Sequence, residues 1–392
     1  MHNLTARYSA THFTHWASCT GASTLATAYL FSRGMSTGTA GILLAAGCLL
    51  SCVTQPLLAA IADRSDHSLL RKMLLGMGAL CLLCYLIQIV PALPLSIAAV
   101  FYIIAIWVAD AMAPLLNAMC VAYQQAGYSI NFGVARGIGT IAHAVCSLAI
   151  GNILAQFGAG WMFAFAIFFR VIHMIDLLRY PALHQNASVH RVKAPESCSL
   201  GQFFLRYPWY CVSQIAVVLM AMYLSMTENY MITIVAPMGG DSSHVGTALF
   251  ISSTIGAPMI VCYSFLRKRF SDSFLLKIAA VGYLLRAVLV WHAQSIGQMY
   301  CIQLLHIVSF ALLAPAQVEH AKSRVRLGDM VKGQAITTAA YAMGCAAGNF
   351  IGGQLLRLSV EALLRGGVVM ALLGLVIILI SAHKTDRYRL EE

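Results

Sequence analysis

The chain has 392 residues, of which 60% are hydrophobic and 10% charged, against about 45–50% and 25% in an ordinary soluble domain. That excludes a soluble enzyme and implies an all-α polytopic membrane protein, because twelve spans of about 20 residues would take up roughly 240 residues. The formal charge of +11 would suggest nucleic acid in a soluble protein, but here the placement of each basic residue decides its meaning, and no nucleic-acid partner is expected.

Apolar runs between charged or Pro/Gly breaks give twelve segments: 8–31, 37–62, 72–91, 95–122, 132–157 and 160–180, then 205–236, 244–266, 274–293, 297–321, 333–356 and 366–383. The polar, basic stretch from His184 to Gly201, flanked by Pro181 and containing Pro195, reads as a linker. The expected organisation is therefore an N-terminal six-helix bundle over 1–180, a cytoplasmic linker over 181–203 and a C-terminal six-helix bundle over 204–392. Of the 25 Lys and Arg, nineteen fall in the tails, the linker and the loops on one side, and Arg33, Arg357 and Arg365 are the three on the other. The positive-inside rule then makes both termini cytoplasmic. Two echoes suggest duplication: Ser65-Asp66-x-x-Leu69-Leu70-Arg71 against Ser271-Asp272-x-x-Leu275-Leu276-Lys277, and Ala149-x-Gly151-Asn152 against Ala346-x-Gly348-Asn349. A duplicated transporter places its site near the midplane between repeats. Most of the twelve Cys lie in apolar runs, and the Cys81-x-x-Cys84 pair has no second pair beside it, so inert packing is expected and no metal, redox or cofactor role. No cleavable signal pattern opens the chain, because its first apolar stretch carries His12, His15 and Trp16.

A charge in hydrocarbon costs several kcal/mol, so ionisable residues inside spans face a wet cavity or pair with each other. Segment 1 carries His12, Trp16, Cys19 and Ser23 on one face. Segment 4 presents Asp110, Pro114 and Asn117 at i, i+4, i+7 with Trp107 one turn before; a satisfied, packed Asp is the alternative. Segment 5 carries Arg136, Thr140, His143 and Ser147 on one stripe; alternatively Arg136 snorkels to the surface. Arg170 in segment 6 has His173 and Asp176 within two turns, which suggests local pairing. In segment 7 Glu228 has no basic residue on its own helix, segment 9 supplies Arg286, and segment 10 carries Gln303, His306 and Ser309 at i, i+3, i+6, where His306 could equally be an interhelical hydrogen bonder. Gly348, Gly352 and Gly353 in segment 11 read as close helix packing. A buried carboxylate is neutral alone and charged beside an Arg, so one that alternates between these states carries a proton. Glu228 is expected to do so against Arg286, with His306 as relay.

Several motifs give the chain a resemblance to the major facilitator superfamily, and within it to the lactose permease-like branch of oligosaccharide/proton symporters. Ala62-Asp63-Arg64 with Arg71-Lys72 looks like the superfamily's signature loop, with Ala where its opening Gly usually stands. Thr39-Ala40-Gly41-Ile42, Gln55-Pro56, Phe132-Gly133-Val134-Ala135-Arg136, Arg206-Tyr207-Pro208 and the register of Arg286 with Leu305-His306 are similar to that branch. The resemblance covers nearly the whole chain and implies twelve transmembrane helices in two pseudo-symmetric six-helix bundles, a sugar-binding Arg136 and a conformational loop at Asp63 and Arg64. Asn117 stands where the branch has a sugar-binding Glu, His143 where it has a stacking Trp, and Gln303 and Ser309 where it has charged neighbours of the helix 10 His.

The function expected from the sequence is a proton-coupled symporter of a small polar solute, a sugar or glycoside, in a bacterial inner membrane, acting as the monomer that is the family's default. Arg136, Asn117, His143, Trp107, Asp110, Trp16 and Gln303 would bind the solute, and Glu228, Arg286 and His306 would couple protons. The alternatives are symport of an organic anion such as an aromatic acid, or of a nucleoside, and proton-driven drug efflux. The anion reading has an arithmetic motive: Arg136, Arg170 and Arg286 against Asp110 and Glu228 leave one deep positive charge in excess. A scaffold has no use for deep ionisable residues in both halves.

Overall fold

The structure, a computed structural model, describes residues 3–64, 67–90, 93–181 and 198–388, with the backbone alone at 59, 62–64, 67–68, 260–261 and 383–388. The chain divides into two compact units, Met1–Val189 with Gly240–Phe250, and His190–Gly239 with Ile251–Glu392.

The first unit holds α1 (Thr5–Ser23), α2 (Ala26–Ser32), α3 (Thr37–Arg64), α4 (His67–Gln88), α5 (Leu95–Ala111), α6 (Ala113–Gln125), α7 (Phe132–Phe157) and α8 (Trp161–Leu178). Two of its expected spans are interrupted, one between α1 and α2 and one between α5 and α6. The second break follows from Pro114, which has no N–H to offer the carbonyl of Asp110 four residues back. The Gln55 side chain on α3 supplies the missing donor, its Nε2 lying 3.2 Å from that oxygen. Asn131 caps α7 by accepting the Val134 N–H at 3.1 Å.

The remaining helices are α9 (Leu200–Arg206), α10 (Pro208–Asn229), α11 (Met231–Val235), α12 (Ser242–Arg267), α13 (Asp272–His292), α14 (Ile296–Gln303), α15 (Phe310–Arg324), α16 (Met330–Leu356) and α17 (Val360–Tyr388). Between α14 and α15 the expected continuous span tightens into a 3₁₀ turn, Leu304–Val308. The apolar core of this unit gathers Met220, Tyr223, Leu276, Tyr283, Leu312 and Ile378. α16 approaches α10 closely because Gly344 and Gly348 lack side chains; a Cβ on Gly348 would stand 2.8 Å from the Met222 Cα.

Counted by their turns, the helices make twelve crossings, with the pairs α1/α2, α5/α6, α10/α11 and α14/α15 each forming one. Nine of these stretches, among the described residues, are long and apolar enough to cross a membrane by length and composition. The duplication is visible within each unit. The first crossing of the first unit packs on its fifth and sixth (α1 on α7 and α8), and α10 packs likewise on α16 and α17. The third meets the fourth and sixth, α4 on α5 and α8 in one unit and α13 on α15 and α17 in the other. Of the expected linker, 182–197 lie outside the described residues, and its end forms α9 rather than coil.

Candidate functional site

Arg286 sits near the middle of α13 with no solvent-exposed surface, so its charge depends wholly on side-chain partners. Its Nη2 donates to Gln303 Oε1 at 2.7 Å and to Glu228 Oε1 at 3.4 Å, and Nη1 lies 3.5 Å from His306 Nδ1. Glu228 ends α10, just before the chain turns at Tyr230 into α11, and its side chain is 27% exposed. The acid is therefore the open end of a closed cluster. The contact to Glu228 is one long hydrogen bond rather than the bidentate fork that makes Arg–carboxylate pairs strong.

The 3₁₀ turn shapes this cluster. Residues three apart eclipse in such a turn, so Gln303 and His306 both reach Arg286, whereas the Ser309 hydroxyl turns back to the Leu305 carbonyl at 2.9 Å. Gly256 on α12 makes room for the imidazole, since a Cβ there would be 3.0 Å from His306 Cδ2. Phe310 flanks the ring at 5.4 Å between centroids. Beside the cluster, Asn349 Oδ1 accepts from Ser225 at 2.6 Å and from Asn229, and its backbone carbonyl accepts from the Tyr230 hydroxyl. That network fixes the end of α10 that presents Glu228. Its only sequence signal is the repeated Ala-x-Gly-Asn.

In the first unit the expected residues are more scattered. Arg136 is exposed, and no hydrogen bond to its side chain is described. Thr140 and Ser147 on the same stripe bond back to the carbonyls of Arg136 and His143, a common fate of hydroxyls in spans. His143 Nδ1 lies 3.0 Å from the Thr20 hydroxyl of α1. Trp16 is half-buried over Gly139, where a Cβ would meet its ring at 2.7 Å, so α1 and α7 share one wall with Trp16, His143 and Arg136 along it. Asp110 and Asn117 are half-buried across the α5/α6 break with no described side-chain hydrogen bond. The Trp107 Nε1 donates to Thr54 at 2.8 Å and ties α5 to α3. Asp63 and Arg64 end α3, but their side chains lie outside the described residues.

Arg170 departs from the expected local pairing with Asp176 and His173. Fully buried, it donates to Met112 Sδ at 3.3 Å and Cys19 Sγ at 3.7 Å. Asp176 bonds instead to Thr11, which also lies 2.9 Å from the Tyr180 hydroxyl, and His173 Nδ1 is 3.2 Å from the Thr11 carbonyl. All three residues meet α1, but at different levels: Arg170 reaches Cys19 and the α5/α6 break, whereas His173 and Asp176 meet Thr11, two turns earlier on the same helix. Among the described residues no group of three or more His, Cys, Asp or Glu could hold a metal ion.

A family model described as "MFS_1 like family" matches residues 5–363. No curated protein sequence matches significantly. Among solved structures, the nucleoside transporter NupG is similar with a TM-score of 0.81 and 15% identity, over 97% of this chain and 98% of that one. The peptide transporter POT is similar with a TM-score of 0.74 and 10% identity, over 97% and 94%. A bacterial homologue of the human lysosomal transporter Spinster gives 0.65 and 12%, over 96% and 94%. At these identities the likeness is one of fold, and it extends over nearly the full length of each chain.

Proposed function

The chain belongs to the MFS_1-like family of the major facilitator superfamily, and on that premise we propose that it is a proton-coupled symporter of a small polar solute. Its halves, 1–180 and 204–392, would alternate access across a bacterial inner membrane, with the linker 181–203 and both termini cytoplasmic and the monomer as the working unit. The observation that carries this reading is the Glu228–Arg286–Gln303–His306 cluster. Gln303 holds one N–H of the guanidinium whatever the state of the acid. Ionised Glu228 takes the other; a proton on Glu228 removes the attraction without unseating Arg286, and His306 offers the neighbouring relay. One proton is thus exchanged for one ion pair at little structural cost.

For the solute, a nucleoside is the first class to test and a glycoside the second. Both offer ring hydroxyls to Arg136, Asn117, His143 and Gln303 and a flat or apolar face to Trp16, with Asp110 as acceptor. The nucleoside class is supported by the fold likeness to NupG, the glycoside by the motif at Arg136. Trp107 would offer its ring face as well, its N–H being bonded to Thr54. An aromatic acid is the second reading, favoured by Arg170, which has two sulfurs and the Tyr85 phenol beside it but no carboxylate among its described hydrogen-bond partners, and so leaves a positive charge in the first unit for an anion to offset.

Purified protein in proteoliposomes, given labelled uridine, lactose or 4-hydroxybenzoate under an imposed pH gradient, tests substrate and coupling together. Glu228→Gln is expected to abolish gradient-driven accumulation while leaving solute exchange. Accumulation that still follows the pH gradient in Glu228→Gln would sink the coupling assignment.

A further inference from the structure

The seven residues of α9, Leu-Gly-Gln-Phe-Phe-Leu-Arg, cover about 10 Å of helix, far short of a bilayer, yet they are held firmly. Ser199 and Gln202 form a capping box at the start of the helix. Phe203 is buried among Tyr207, Tyr210, Ala321 and Val325 at the ends of α10 and α15. Asp329, in the turn before α16, accepts the Cys198 N–H and the Tyr207 hydroxyl, each at 2.9 Å, and lies 3.5 Å from Arg206. Lys332 donates to the Cys198 carbonyl.

With Phe203 turned inward, the opposite face of α9 shows Leu200, Phe204 and Leu205 to the outside, the last 84% exposed. The turn that Asp329 ties to it adds Leu327 and Val331, 77% and 81% exposed. A short helix this apolar on its outer side would be a liability in water. Its place bears on this: α9 leads directly into Pro208, the first residue of a helix long and apolar enough to cross a membrane, and the 327–331 turn follows Ile296–Arg324, another such stretch, so the patch stands beside the ends of two membrane-length segments. Arg206, exposed Arg326 and Lys332 stand around it against the single carboxylate of Asp329, a local excess of positive charge. Apolar side chains beside cations are what an interfacial helix needs to enter an anionic leaflet.

We propose that α9 and the 327–331 turn form a membrane-surface anchor seated among the anionic headgroups of the adjoining leaflet. The anchor fixes the start of α10, the helix that carries Glu228 at its far end, to the lipid surface. This assignment does not depend on the solute or on proton coupling.

Two measurements on the full-length protein test it. In Leu205→Trp, the added fluorescence relative to wild type is expected to be blue-shifted, and quenched by phosphatidylcholine brominated near the headgroup more than by lipid brominated at the chain end. In native mass spectrometry, Arg206→Gln with Arg326→Gln should retain phosphatidylglycerol with roughly thirtyfold lower apparent affinity and keep its phosphatidylcholine. Thermal unfolding in detergent, unchanged in both variants, shows that the fold is intact. A water-like, unquenched emission overturns the anchor, as does a buried but unquenched one, which would mean that protein covers the patch. Unchanged phosphatidylglycerol retention overturns it equally.

Discussion

Among the described residues each unit of this transporter buries one arginine completely, and the two are held in opposite ways. Arg286 sits in a cluster of three polar side chains, one of them an acid whose side chain still reaches solvent. Arg170 donates to a thioether and a thiol, at 3.3 and 3.7 Å, with the Tyr85 phenol beside it. Burial alone therefore does not set the company an arginine keeps. What separates them is a carboxylate: Glu228 stands among the partners of Arg286, and none is among the described hydrogen-bond partners of Arg170. The sulfur contacts nonetheless place Arg170 at the α5/α6 break, because Met112 is the residue between those helices.

Substitutions can break this contrast. The largest effect is expected for Arg286→Met, which leaves Glu228 without its cation and Gln303 without its donor. Removing one partner of a buried pair costs about 3–5 kcal/mol, so the detergent-solubilised protein should unfold at a clearly lower temperature and gradient-driven uptake should vanish. Gly348→Ala comes next: its Cβ meets the backbone of α10, which cannot step aside, and overpacking of this kind costs about 1–3 kcal/mol. Gly139→Ala, whose Cβ meets the movable Trp16 ring, should cost less in the same unfolding measurement. Gln55→Leu deprives the Asp110 carbonyl of its donor and should cost about 1–3 kcal/mol, read by thermal unfolding beside an isosteric Gln55→Glu. The smallest effect is predicted for Arg170→Met. With no carboxylate among its described hydrogen-bond partners, Arg170→Met leaves no buried countercharge behind, so the unfolding temperature should hold or rise. If instead Arg170→Met folds normally and loses uptake, the two arginines are functionally alike and an anion at Arg170 becomes the stronger reading.

Much of the architecture is legible in the chain because hydrocarbon imposes a coarse rule. A crossing needs a long apolar run, and its ends announce themselves by charge, Pro and Gly; the expected span 132–157 coincides with α7. The breaks are harder to read. Pro114 signals one, but the 3₁₀ turn through Leu-Leu-His-Ile-Val has neither Pro nor Gly, and its cause lies in packing, where Gly282 of α13 admits the Val308 backbone. Glu228, Arg286, Gln303 and His306 stand out as candidates because polar residues inside spans are few. The same reasoning mispairs Arg170, because helix spacing shows which residues share a face and not which neighbour that face meets. Nor does it show that the Trp107 N–H meets Thr54, or that the end of the linker forms α9, whose seven residues are too few for any periodic signal.

Sequence by itself determined the class of the molecule, its twelve crossings and the short list of residues with a charge or hydrogen bond to offer inside the membrane, since the cost of burying polar groups keeps that list small. Tertiary structure alone decided which of them meet. Contacts between helices depend on side-chain direction, glycine-permitted approach and local tightening of a turn by an ångström or two, and none of these is written in the hydropathy of a run. That is why Arg286 and Arg170, alike in sequence as single cations in apolar helices, end in such different company.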